Sequence, residues 1–345
     1  MKKILCADIG ATHSRFAWFT LAEPATDDFA APPDSAPPAS AASTNPAAGL
    51  ELQDIRWLPT APDGSLAAQL RTLYSEGFPL PPEQTAMAVL AVAGPVRRGR
   101  YSKLPLAGWE VDLDLIEGEF PFAAATLIND FTAQALAVLT PPGQAAREIL
   151  PGEPEPAGPL AIVGAGTGLG KALLLPATGP ARPAPLVIPS EGGHADFPFA
   201  GGREGDYLDF LLQKRGEERI SGNTVVSGQG LAYLHWFLGG RQLEPAAVLA
   251  ELAPDSATLA WAARFYGRVC RNYALETLAT GGLYVAGGVA ARSPELLDHP
   301  EFAREFHHSP TMNDLLTRIP VRLINDQNSG LWGAAMQAAL LLTTK

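Results

Sequence analysis

The chain has 345 residues, 47% hydrophobic and 18% charged, enough apolar content for a large core and more length than one core usually organises. Its 25 Lys and Arg against 36 Asp and Glu leave a formal charge of −11, which repels nucleic acid and anionic membranes and points to a small-molecule partner. The two cysteines, Cys6 and Cys270, exclude a disulfide framework by count and read as buried thiols in a reducing compartment.

The N-terminal MKKILCADIG starts like a signal peptide, but Asp8 breaks its apolar run. No other segment reaches the roughly 20 apolar residues of a membrane span, so a soluble cytoplasmic protein is expected. Residues 3–9 and 15–21 are apolar, β-rich runs joined by a glycine-containing turn and predict a β-hairpin. The Ala/Pro/Ser-rich stretch 23–49 has no periodicity and predicts a surface insertion without chemistry. Residues 50–58 predict a strand, 65–76 an amphipathic helix, and 85–96 a fully buried strand ending at a Gly-Pro turn. Residues 124–130 predict one more strand, continued by a helix through FTAQALAVLT that Pro141 and Pro142 stop.

A second series follows a Pro/Gly-rich connection. It predicts strands at 160–163, 171–175, 186–188 and 283–286, helices between about 204 and 280, and a C-terminal helix of small residues opening at 328–335. VGAGTGLGKALLL echoes ADIGATHSRFAWF as strand, Gly/Thr turn, strand. Two similarly ordered α/β units joined near residue 140 predict a duplicated fold with its site between the halves. The small N-terminal domain is expected over 1–140 plus 325–345 and the large domain over 141–324.

Paired Gly/Thr turns suit a nucleotide triphosphate, because glycine lets backbone amides approach phosphate oxygens and threonine adds a hydroxyl donor. Either turn alone reads first as a plain structural hairpin, since Gly-rich turns are common. GAGTGLGKA is not a Walker loop, since Ala165 and Ala172 occupy positions that need Gly and Ser or Thr, and it lacks the dinucleotide-fold register. LINDFTAQA sets Asn129 and Asp130 at the end of an apolar strand, where Asp130 reads both as a helix cap and as a general base for phosphoryl transfer. SEGGHADF sets Glu191 and His194 around two glycines. Sugar hydroxyls suit that carboxylate and imidazole better than a metal does, because no second ligand pair lies nearby. LYVAGGVAAR gives a strand and a Gly287-Gly288 turn that could pack against a flat base.

Taken in order, DIGATHSR, VAGPV, LINDFTA, GAGTGLG, SEGGHADF, VVSGQGL, LYVAGGVAAR and IPVRLINDQNSGLWGAA carry a resemblance to the bacterial ATP-dependent glucokinases of the hexokinase/actin-like superfamily. It runs over nearly all of the chain outside 23–49, and the zinc-binding cysteine cluster of the related repressor/kinase family is absent. The resemblance implies an α/β fold of two duplicated actin-like, ribonuclease H-like ATPase domains with an interdomain cleft, and a homodimer. It implies transfer of phosphate from ATP to the 6-hydroxyl of glucose with Mg²⁺. In that family Asp8 would organise Mg²⁺ through water, Gly10, Ala11 and Thr12 would face the ATP phosphates, and Gly166, Thr167 and Gly168 would form the second phosphate turn. Gly287 and Gly288 would meet adenosine. Asn129, Asp130, Glu191, His194 and Asn223 would bind sugar, with Asp130 as the base.

The chain departs from the family pattern at Ala11 and His13, where Gly and Asn are usual, and at Asn223 and Thr224, where a Glu-Arg pair is usual. One charge-assisted hydrogen bond lost at Asn223 would weaken sugar binding about 10- to 150-fold, with Glu217 or Glu218 as nearby substitutes. Two further readings follow: a kinase for another hexose or an amino sugar, and a sugar-binding sensor impaired in transfer by Ala11 and His13. Asp8, Asp130 and the intact GAGTGLG argue against the sensor.

Overall fold

The computed structural model describes residues 1–22, 46–61, 64–104 and 108–343. Of the insertion read at 23–49, only the 3-10 turn Pro46–Gly49 lies within the described residues. The chain forms two compact units, Met1–Ala133 with Leu331–Lys345, and Gln134–Gly330.

In the first unit, β1 (Lys2–Ile9), β2 (His13–Leu21), β3 (Leu50–Pro59), β4 (Met87–Val92) and β8 (Ala125–Asn129) form one sheet in the order β3-β2-β1-β4-β8. β1 runs antiparallel to β2 and parallel to β4, which runs parallel to β8. β4 reads MAVLAV and is buried at every position, as a strand inside a sheet covered on both faces must be. Between β3 and β4 lies α1 (Leu66–Ser75), started by Ser65, whose side chain accepts from the Ala68 N–H, and facing the core with Leu66, Leu70 and Leu73. A separate three-stranded sheet of β5 (Val96–Arg97), β6 (Tyr101–Leu104) and β7 (Trp109–Asp112) precedes α2 (Leu113–Glu119).

The unit boundary falls within α3 (Asp130–Ala137), and α4 (Pro141–Gln144) follows. The second unit has a six-stranded sheet in the order β12-β11-β10-β13-β14-β9. Its strands are β9 (Arg147–Leu150), β10 (Leu160–Ala165), β11 (Leu169–Leu175), β12 (Leu186–Ser190), β13 (Gly282–Ala286) and β14 (Val321–Leu323). Helices α5 (Arg203–Arg215), α6 (Gly222–Val225), α7 (Gly228–Phe237), α8 (Pro245–Glu251) and α9 (Ala257–Thr277) lie between β12 and β13. Helices α10 (Gly288–Arg292), α11 (Glu295–Asp298), α12 (Pro300–Phe306) and α13 (Asn313–Leu316) precede β14, and α14 (Ser329–Thr343) ends the described chain. β10, β13 and β14 are parallel and β10 is antiparallel to β11, so β12 to β14 repeat the strand order of the first sheet and β9 adds an edge.

The structure corrects the sequence reading at several elements. The strand expected over 85–96 ends at Val92, and Val96 belongs to the small sheet. Pro141 does more than stop a helix: it opens α4 at the first helical position, where its missing N–H costs nothing. The strands β6, β7, β9 and β14 were not expected. Cys6 and Cys270 are both buried, free thiols. No helix among the described residues is long and apolar enough to cross a membrane.

Candidate active site

In the first unit the expected residues gather at the carboxyl ends of parallel strands, where α/β sheets commonly meet ligands. Asp8, near the end of β1, pairs across the hairpin with Arg15, with 3.6 Å between the charged atoms. Burial raises the Asp8 pKa, and Arg15 offsets only part of that rise. The turn from Gly10 to His13 is closed by the Gly10 N–H donating to the His13 carbonyl at 3.1 Å and anchored by Thr60 N–H on the Thr12 carbonyl at 2.9 Å. Ala11 is not among the described non-glycine residues with positive φ, so the methyl group that replaces the usual glycine meets no backbone penalty there. His13 Nδ1 lies 3.3 Å from Thr12 Oγ1, and the Arg15 guanidinium stacks 4.7 Å from the ring of Trp57 on β3. Trp57 is a half-exposed aromatic that the sequence reading assigned no role.

Asn129 and Asp130 stand where β8 becomes α3, two strand spacings from β1, roughly 10 Å. Asn129 Oδ1 accepts from the N–H groups of Phe131 at 3.0 Å and Thr132 at 3.3 Å, and its Nδ2 donates to the Gly94 carbonyl of the VAGP turn at 3.2 Å. The cap of α3 is therefore Asn129, while Asp130 is the first helical residue and accepts from Phe131 N–H at 3.0 Å.

The second unit brings four expected pieces to one end of its sheet. The turn Gly166 to Gly168 joins β10 to β11, and β13, paired with β10, ends at Ala286, with Gly287 next in the chain. Gly287 has φ +88, and a Cβ there would lie 2.7 Å from the Ala165 carbonyl oxygen, so only glycine lets these two turns touch. Nothing lies within 4 Å of a Cβ built on Gly166, which leaves that turn open to an approaching group. Lys171, the lysine a Walker loop would aim at phosphate, is instead buried with its ammonium 5.1 Å from the Tyr273 ring centre.

Glu191 and His194 bracket a short 3-10 turn, with 3.8 Å between Glu191 Oε2 and His194 Nε2 and both side chains exposed. The turn is pressed onto the end of the second glycine turn, because a Cβ on Gly193 would overlap the Leu169 carbonyl. Asn223 fills the space between them, its Oδ1 accepting from the Leu169 N–H at 2.6 Å. One lone pair of the group standing where the family has a sugar-binding glutamate is thus spent on the backbone.

Solved structures of sugar kinases share this fold. A glucokinase from an Antarctic psychrotroph superposes with a TM-score of 0.74 at 28% identity, covering 98% of each chain. A glucokinase from Balamuthia mandrillaris in complex with glucose has the same TM-score at 19% identity over 98% of this chain and 94% of its own, a likeness of fold alone. A family profile described as Glucokinase matches residues 39–341. The glucokinase of a Nostoc species is 33% identical over 300 residues, 78% of this chain and 85% of its own length. The chain belongs to the glucokinase family.

Proposed function

We propose that this chain phosphorylates the 6-hydroxyl of glucose with ATP, yielding glucose 6-phosphate. Family membership supports the activity, and one observation supports the assignment of the base. Asn129 caps α3, so that role does not fall to the neighbouring Asp130, and in this reading the Asp130 carboxylate takes the proton from the sugar hydroxyl as oxygen attacks phosphorus. Asn129, Glu191, His194 and Asn223 hold the remaining hydroxyls, Asn223 through its Nδ2 and the lone pair that Leu169 leaves. The Gly10–Thr12 turn would meet the phosphates through the backbone N–H groups of Ala11 and Thr12, since the Gly10 N–H is held by the His13 carbonyl, and the Gly166–Gly168 turn through those of Thr167 and Gly168, since the Gly166 N–H donates to the Gly168 carbonyl at 2.8 Å; Gly287 and Gly288 face the adenosine.

The residues fit the donor and its metal. Gly166 opens onto unfilled space, and Asp8 is a carboxylate raised by burial that gains from a nearby cation. Mg²⁺ would be held by phosphates, waters and the Asp8 carboxylate, the usual mode for that ion beside a nucleotide. When bound, Mg-ATP supplies the phosphoryl group and neutralises charge that develops on its oxygens. We also infer that the two units descend from one duplicated actin-like ATPase domain. The shared strand order supports this, as does the tetrapeptide Leu-Ile-Asn-Asp, which recurs where the fifth strand ends in each sheet, at 127–130 and 323–326.

ADP release by purified protein with Mg-ATP and a panel of glucose, mannose, fructose, glucosamine and N-acetylglucosamine tests the reading. Selective turnover of glucose is expected. Preference for another sugar would move the substrate, and glucose binding without turnover of any sugar would make the protein a sensor.

A further inference from the structure

The second unit holds a cavity of about 630 Å³ that shares no residue with the site above, a volume in the range of small-molecule pockets. We propose that it binds a phosphorylated small molecule of hexose phosphate size. Three arginines of α9, Arg264, Arg268 and Arg271, follow one another at i, i+4 and i+7 and so share one face, and Arg304 of α12 joins them. A stripe of this kind usually points into solvent; here Arg268 is only 7% exposed and Arg304, at 64%, stands at the mouth.

The charge balance separates a binding site from a purely structural network. Arg268 donates to Glu204 at 2.6 and 3.0 Å, to Glu305 at 2.8 Å and to the Pro198 carbonyl at 3.0 Å, which uses four of its five N–H groups. Arg264 and Arg304 share Glu301, and Arg271 shares Glu305 with Arg268. Four guanidinium groups thus meet three carboxylates, leaving an excess positive charge in a chain whose formal charge is −11. Donors are left over as well. Arg271 uses Nε and Nη1, and Arg304 only Nη2, so each keeps guanidinium N–H groups without a hydrogen-bond acceptor among the described residues.

A phosphate monoester carries close to two negative charges and presents three oxygens to such edges, whereas a single carboxylate would use less of them. Pro198, Phe199 and Ala200 form an apolar wall against which the carbon body of the ligand can pack. Ala200 N–H donates to Glu204 at 2.8 Å, so that wall is fixed by the same network that holds the arginines.

The test is calorimetric titration of the full chain, saturated with glucose, with glucose 6-phosphate and separately with inorganic phosphate. Arg304→Gln is expected to weaken glucose 6-phosphate binding roughly tenfold and the Arg271→Gln, Arg304→Gln pair roughly a hundredfold, with little change in melting temperature or in basal kcat. Equal affinity in wild type and double variant would overturn the proposal, as would no binding by the wild type. Inorganic phosphate binding as tightly as the sugar phosphate would overturn the assignment of a hexose body. Glu191→Gln separates this from the catalytic reading: it should abolish glucose binding and leave the cavity's affinity for the sugar phosphate unchanged.

Discussion

Asp8 has its charge partner 3.6 Å away and is still held above the ordinary carboxylate pKa, because burial outweighs the attraction of Arg15. A carboxyl with a raised folded-state pKa costs stability above that pKa, and the cost vanishes as pH falls toward the unfolded value near 4. Asp8→Asn is therefore expected to raise the melting temperature at pH 7 while abolishing turnover, and scanning calorimetry should find the gain shrinking as pH is lowered. A lower melting temperature at pH 7 would mean that the carboxylate stabilises the protein through Arg15 after all. Asp130 makes the complementary case. Asp130→Asn keeps shape and hydrogen bonding but not basicity, so kcat should fall by about 10²- to 10⁴-fold while glucose affinity stays within a few-fold. Calorimetric binding of glucose beside ADP-release rates measures both, and a variant of near wild-type kcat refutes the base.

At the scale of elements, the candidate site depends on turns that touch through glycine. Gly193 lies against the Leu169 carbonyl and Asn223, so Gly193→Ala must move the Glu191–His194 turn away from the end of the second glycine turn. The expected result is a raised KM for glucose together with a lower kcat, in a chain that still melts cooperatively; unchanged steady-state constants would show that the two turns act independently. This contact also marks how far the sequence could be read. The β1–β2 hairpin, β4, β8, β10 and β11 were legible because their apolar runs are long and glycine punctuates them. β9 and β14, of four and three residues, are too short to show a period and exist because neighbouring strands pair with them. The glycine turns, Asn129, Asp130, Glu191 and His194 stood out by residue type and place. The use of Asn223 did not, because its bond to Leu169 spans 54 positions, and the buried arginine face of α9 looks in sequence like a solvated stripe.

At the scale of the whole molecule, the two units differ in how the chain builds them. The second is continuous, Gln134–Gly330, whereas the first needs the returning segment Leu331–Lys345 to complete it. Within the first unit Gly333 packs so closely on the Ala133 carbonyl that a Cβ would overlap it, Trp332 meets Phe19 edge-on at 5.1 Å, and Lys2 donates to the Leu342 carbonyl at 3.2 Å. Leu331 and Met336 are almost wholly buried, and each such side chain contributes about 1.5 to 3 kcal/mol. A domain's net stability is only about 5 to 15 kcal/mol, so losing this segment removes a large share of it. A 1–133 fragment should accordingly show no cooperative thermal transition by circular dichroism, while 134–330 should melt cooperatively. Because Ala133 and Gly333 are in contact, a short Gly/Ser linker from residue 133 into 331–345 should restore the transition of the first unit. If the 1–133 fragment alone melts as cooperatively as that fusion, and at the same temperature, α14 is dispensable to the core and the first unit folds before the chain is complete.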